Sequence, residues 1–178
     1  MSKSQKTKTA LLQNAQALFW SRGYSNVSVR DVARATDVDV ALVSRYFGSK
    51  LGLFKATLND VPPLNTDAIT SADQLIEQVV NLFTATNDNN ATATSLILRN
   101  TTDPEVGEMV RELYKRTWYQ SLIQILGSKA KATRFSAAVL GMSIVEKSLE
   151  LDGMPPHQSG EYKLELTTFL RASIGASK

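Results

Sequence analysis

Val29-Arg30-Asp31-Val32-Ala33-Arg34-Ala35-Thr36-Asp37-Val38-Asp39-Val40-Ala41-Leu42-Val43-Ser44-Arg45-Tyr46-Phe47-Gly48-Ser49-Lys50 decides the fold of this chain. Ser28, just before it, is placed to cap a helix, with Asp31 in the third position to complete a capping box. Val29, Val32 and Ala33 give that helix a buried side. It ends near Thr36. After a short turn Asp39 caps a second short helix over residues 40–47, and Gly48 stops it. Ser49 then caps a further helix that starts at Lys50. Two short helices, a tight turn and a new helix start predict a helix-turn-helix at about residues 28–47. Its second helix needs one face to lock onto its neighbours and another free for base edges in a major groove. Val43 and Phe47, four apart, supply the inner face. Ala41, Ser44 and Arg45 turn outward, with Arg45 able to reach a guanine edge. Tyr46 offers a hydroxyl to a phosphate oxygen.

The flanks suit the same partner. Ser28, Val29 and Arg30 open one helix and Lys50 opens another, and helix starts favour anions. Upstream, residues 7–22 carry Leu11, Leu12, Ala15, Leu18 and Phe19 as one apolar stripe, and Gly23 ends that helix as a left-handed cap. Charge points the same way. Residues 1–55 hold nine Lys/Arg against three Asp, whereas residues 56–178 hold eleven against fourteen acids. A basic head on a mildly acidic body suggests that a polyanion binds the head. An ordinary helical domain with a solvated charged face shares that charge pattern, but basic residues at both helix starts are less common.

The stretch quoted above, with Gly23-Tyr24-Ser25-Asn26-Val27-Ser28 before it and Leu53-Phe54 after it, resembles the N-terminal domain of the tetracycline-repressor (TetR) family over about residues 7–58. The remaining 120 or so residues match only in helix count and rough lengths. The resemblance implies an all-helical homodimeric repressor whose C-terminal domain binds a small ligand that releases DNA. It implies that Ser28, Val29 and Arg30 touch backbone, that Val40, Ala41, Leu42, Ser44 and Arg45 face the groove, and that Tyr46 and Lys50 hold phosphates. Three residues depart from the family's habit. Asp37 stands where a turn glycine is usual, and Asp tolerates a left-handed conformation. Ser44 stands where many members place a phosphate-binding tyrosine, so its reach is shorter. Asp39 replaces a more usual Ser or Thr. Fewer phosphate contacts than usual are therefore expected, with Arg45 as the main base reader.

The fold class expected for the whole chain is all-α, with about nine helices in two parts. Residues 1–60 form the helix-turn-helix domain, and residues 61–178 a helical ligand-binding and dimerisation domain. Val61-Pro62-Pro63-Leu64-Asn65 marks the boundary. Helices are expected over residues 71–86 and 91–100, with Asn87-Asp88-Asn89-Asn90 as a loop. A long helix capped by Asp103, with Pro104 at its first position, should reach Leu126. Another spans 130–151, Asp152-Gly153-Met154-Pro155-Pro156 ends it, and the last covers 160–174. Phe83, Ile97, Tyr114, Trp118, Leu122 and Met142 are the candidates for a ligand pocket, although an aromatic or Met stripe at helical spacing is more often core. Arg99 and Glu146 would orient a ligand if buried. The last two helices are apolar over broad arcs: Phe135, Val139, Met142, Ile144, Val145 and Leu149 on one, Leu164, Leu166, Phe169, Leu170 and Ile174 on the other. Both exceed what one neighbour requires, so a homodimeric four-helix interface is expected.

Enzyme chemistry has little to stand on. The chain has no cysteine and one histidine, His157, in a proline-rich loop. No catalytic residue, metal site or cofactor is expected, and Glu105, Glu108 and Glu112 form a solvated helix face. No apolar run approaches a membrane span, the polar opening residues predict no signal peptide, and a cytoplasmic location follows. The partners expected are double-stranded DNA with a palindromic site, a second copy of the chain, and a small-molecule effector. A different class of protein, a helical ligand-binding or adaptor protein whose head does not read DNA, would differ at Arg30, Arg45, Tyr46 and Lys50.

Overall fold

The computed structural model describes residues 2–59, 61, 63–64, 67–85, 92–147, 149 and 153–175. Among them all regular structure is helical: α1 (Lys3–Arg22), α2 (Val29–Thr36), α3 (Ala41–Phe47), α4 (Lys50–Leu58), α5 (Ala72–Thr84), α6 (Ala93–Asn100), α7 (Gly107–Tyr114), a π-helical turn (Lys115–Tyr119), α8 (Gln120–Leu126), α9 (Lys129–Lys147) and α10 (Gly160–Ser173). Taking α7, the π turn and α8 as one run gives the nine helical rods the sequence predicts. The expected loop at residues 87–90, part of the boundary at 62–65 and the helix end at 150–152 fall outside the described residues.

The chain divides into two compact units, and here the expected division into 1–60 and 61–178 needs correcting. One unit joins residues 1–61 to residues 89–113, and the other joins 62–88 to 114–178. The cause is polar. Asn100, at the end of α6, is fully buried. Its side-chain oxygen accepts from the Tyr24 backbone N–H at 2.7 Å, and its amide donates to the carbonyls of Leu96 at 3.0 Å and Phe19 at 3.3 Å. One side chain thus gives the Tyr24 N–H its partner and adds a second donor to the Phe19 carbonyl, which also accepts from the Gly23 N–H at 3.0 Å, and α6 packs on α1.

Within that unit α1 starts four residues before the expected position. Ser2 Oγ accepts from the Gln5 N–H, and Gln5 Oε1 accepts from the Ser2 N–H at 2.9 Å. This is a capping box with glutamine in place of an acid. Leu11, Ala15, Phe19 and Trp20 form its buried side. Gly23 ends α1 at φ +87° with an extended ψ, so it turns the chain without being the left-handed helical cap expected of it. Phe19, Tyr24 and Phe54 then meet as one aromatic cluster, with centroids 5.1–5.7 Å apart.

The second unit packs α5, α8, α9 and α10 around Leu75, Ile76, Phe135, Tyr162, Leu166 and Leu170, all almost fully buried. The long helix expected from Asp103 is not uniform. Asp103 Oδ1 accepts from the N–H groups of Glu105 and Val106, and its carbonyl accepts from Gly107, where regular α-helix begins. Eight residues after Gly107 the same run passes into the π turn, whose hydrogen bonds close wider rings than those of an α-helix.

Candidate nucleic-acid interface

The helix-turn-helix is built from local signals. Ser28 Oγ accepts from the Asp31 N–H at 3.2 Å, and the Asp31 carboxylate accepts from the Ser28 N–H at 2.9 Å and hydroxyl at 2.6 Å. These bonds, side-chain bond first, hold the Asp31 carboxyl below the usual carboxylate range. Asp37 takes φ 56°, ψ 51°, the left-handed conformation for which glycine is the usual choice. Its N–H closes α2 onto Ala33 and Arg34. Asp39 Oδ1 then accepts from the Ala41 N–H at 2.7 Å. The aspartate therefore caps α3 as expected, although the regular helix starts at Ala41 and Val40 holds the cap position.

On α3, Val43 is buried at 1% exposure, while Ala41, Ser44 and Arg45 are exposed. Val40 is exposed as well, whereas Leu42, Tyr46 and Phe47 are half-buried. The outward face therefore carries short side chains and one arginine. Gly52 lets α4 approach the end of α3, because a Cβ there would overlap the Phe47 carbonyl oxygen. Ser49 Oγ caps α4 by accepting from the Gly52 N–H at 2.9 Å. Ser28, Val29 and Arg30 lie at the start of α2, with Ser28 and Arg30 exposed and Val29 half-buried.

Sequence reasoning missed three residues here. Ser4 Oγ lies 2.9 Å from the Tyr46 hydroxyl, and Lys8 Nζ lies 5.8 Å from the Phe47 ring centroid. The first two turns of α1 thus flank the end of α3, a signal available in the absence of any acid before Asp31. The third is Tyr24. Lys50 Nζ stands 4.1 Å from the centre of its ring. Tyr24 is itself held by Asn100 at its backbone and by Glu105, which accepts from its hydroxyl at 2.9 Å. Beside it, Ser25 Oγ donates to Asp103 at 2.6 Å. Burial and then the Glu105 bond push the Tyr24 phenol well above its ordinary range. Glu105, expected on a solvated face, therefore has a partner.

The candidate ligand residues do not form one group. Ile97 is buried in the first unit, with α6. Phe83 and Leu122 are buried in the core of the second unit and Met142 packs against that core. Tyr114 and Trp118 are half-buried beside the π turn, their ring centroids 5.9 Å apart. The Tyr114 hydroxyl donates to Ser136 at 2.5 Å, and burial raises its phenol. Arg99 is exposed. Glu146 has a side chain only 4% exposed; it accepts from Tyr162 at 2.6 Å and lies 4.0 Å from His157.

Residues 11–57, which contain α2, the Asp37 turn and α3, match the family described as bacterial regulatory proteins, tetR family. The N-terminal module is thus similar to the tetR-family domain over those residues. The same region is 39% identical over 54 residues to the Probable HTH-type transcriptional regulator YttP of Bacillus subtilis (strain 168); the match spans 30% of this chain and 26% of that relative. Likeness of fold extends further. NalD, titled the secondary repressor of the MexAB-OprM multidrug efflux pump in Pseudomonas aeruginosa, superposes with a TM-score of 0.66 at 19% identity, over 97% of this chain and 96% of its own. HlyIIR, titled a hemolysin II transcriptional regulator, gives 0.61 at 19% identity over 98% of both chains. The segment that matches the tetR family model therefore sits in a chain whose helical fold is shared with these structures along nearly its whole length.

Proposed function

We propose that this chain is a DNA-binding transcriptional regulator, a homodimeric repressor released from a palindromic operator by a small-molecule ligand, and not an enzyme. The exposed face of α3 carries that reading. Ala41 and Ser44 let the helix approach a groove, and Arg45 supplies donors for a guanine edge. Ser28, Val29, Arg30, Tyr46 and Lys50 hold the phosphates beside it, while Val40 and Leu42 complete the groove-facing set. A DNA partner also accounts for the basic head, and it calls for a cytoplasmic location; among the described residues no helix is long and apolar enough to cross a membrane.

The dimer reading rests on exposure. Of the six large apolar side chains exposed among the described residues, Ile144, Leu149, Leu164 and Phe169 lie on or between the last two helices. A second copy covering them would set two recognition helices about 34–36 Å apart, or a multiple, over a two-fold site. Tyr114, Trp118 and Met142, half-buried in the second unit, support an effector site there, and Phe83 and Leu122 are buried in that unit's core.

Selection of duplexes retained by the purified protein, followed by titrations at several salt concentrations, tests this. Arg45→Ala should lower preference for the selected site by about 1–3 kcal/mol. Lys50→Ala should weaken all duplexes alike and reduce the salt slope by about one. Retention of no duplex by the wild type would overturn the reading.

A further inference from the structure

We propose that Tyr24 is the positioning residue for Lys50: its ring holds the lysine ammonium where α4 meets a phosphate. The inference rests on the DNA-binding reading above and adds a residue that lies outside α2, α3 and α4.

A lysine at the start of a helix has two difficulties as a phosphate contact. Its long side chain is free to wander, and the positive end of its own helix repels its ammonium. Here the ammonium has a fixed place, 4.1 Å from the centre of the Tyr24 ring. That distance is well inside the roughly 6 Å over which an aromatic face attracts a cation. A ring face does not use up the donors of the ammonium, so an N–H that points away from the ring can still donate to a phosphate oxygen.

The ring is held as firmly as a rigid platform requires. Tyr24 is 3% exposed. Phe54 and Phe19 pack on it at centroid distances of 5.1 and 5.7 Å. Its backbone N–H donates to the buried Asn100 and its hydroxyl donates to Glu105. A phenol that donates to a carboxylate also gains electron density on its ring, which strengthens the pull on a cation. Phe19 of α1 and Phe54 of α4 pack on the ring, Glu105 holds its hydroxyl, Asn100 of α6 holds its backbone, and the cation over its face belongs to the start of α4. A core tyrosine needed only for packing has no use for that cation.

A double-mutant cycle separates positioning from packing. A random-sequence duplex is titrated at several salt concentrations with wild type, Tyr24→Leu, Lys50→Ala and the double variant. Tyr24→Leu should lower affinity by about three- to fivefold, the size of a cation–π contact at a partly exposed site. With Lys50 already replaced, it should change affinity by less than about twofold. An equal loss in both backgrounds would show a packing role and overturn the proposal. So would tighter binding by Tyr24→Leu, which would mean that the ring sequesters the lysine.

Because Tyr24→Leu removes a core ring and can lower stability, a second measurement needs no variant. In the unaltered protein, the side-chain methylene protons of Lys50 next to the ammonium should resonate upfield of those of the other lysines, shielded by the Tyr24 ring. If they resonate with the other lysines, the proposal fails. The two failures remain distinct. A protein that shows the upfield shift but binds no duplex refutes the DNA-binding reading. One that binds duplexes without the shift or the coupling refutes only the role of Tyr24.

Discussion

The two units of this chain hold themselves together by different means. In the first, an apolar core around Leu11, Phe19, Phe54 and Leu96 is supplemented by polar side chains that join segments far apart in sequence: Asn100 to Tyr24 and Phe19, Glu105 to the Tyr24 hydroxyl, Asp103 to Ser25. In the second, the core is a continuous apolar packing of Leu75, Ile76, Phe135, Leu166 and Leu170. Polar joints are directional and hydrophobic packing is not. The first unit therefore adds to its apolar core a few joints whose partners must be in place, whereas the core of the second rests on volume spread over many side chains.

That difference is breakable, and the largest effect should be at Asn100. Asn100→Leu keeps most of the volume but strips the partner from the Tyr24 N–H in a site with no solvent access, while the Phe19 carbonyl keeps the Gly23 N–H at 3.0 Å. Leaving such a group unpaired costs about 1–3 kcal/mol. Denaturant unfolding should show a loss of about 2 kcal/mol. A loss below about 1 kcal/mol would mean that the joint is ornamental and that packing alone holds α6 on α1.

Phe135→Leu is the matching change in the second unit. Phe135 is 1% exposed, but its neighbours are apolar and no polar group depends on it. A smaller apolar side chain should cost about 1–2 kcal/mol, from lost burial and a partly relaxed cavity. Should Phe135→Leu prove more damaging than Asn100→Leu, the contrast between the units would be reversed.

The same contrast explains what the sequence disclosed. Ser28, Asp31, Asp37, Asp39 and Ser49 act on backbone within three or four residues, so their roles follow from spacing alone. The exposed face of α3 was legible for the same reason. The partners of Tyr24 lie 76 and 81 positions away, and no periodicity connects them. For that reason residues 89–113 looked like part of the C-terminal body, and Tyr24 looked like a turn residue. The π turn escaped because its five residues, Lys-Arg-Thr-Trp-Tyr, carry no helix-breaking signal. In the second unit hydrophobic spacing identified the helices and many core residues. It could not separate fully buried core residues from half-buried ones, since Phe83 and Leu122 look like Trp118 until packing is known.

The smallest effect expected is a shift in one titration, and it isolates the local half of the comparison. Asp31 is bonded to Ser28 at both backbone and hydroxyl, and its carboxyl is held below its ordinary range by those bonds. A carboxylate whose pKa falls on folding adds stability that is fully present above its unfolded value and is lost as pH falls through the depressed one. Asp31 is fully solvated at its edge, so the change should scarcely register in a melt. It should be visible by carboxyl carbon resonances followed through acid. Wild-type Asp31 should titrate below the free-aspartate range of about 3.9, and Ser28→Ala should bring it back toward that range. Because the capping box closes within four residues, the titration should be unaffected by Asn100→Leu at pH values where that variant remains folded. If Asn100→Leu moved it, the start of α2 would depend on the distant joint, and the division between local caps and long-range polar contacts would not hold.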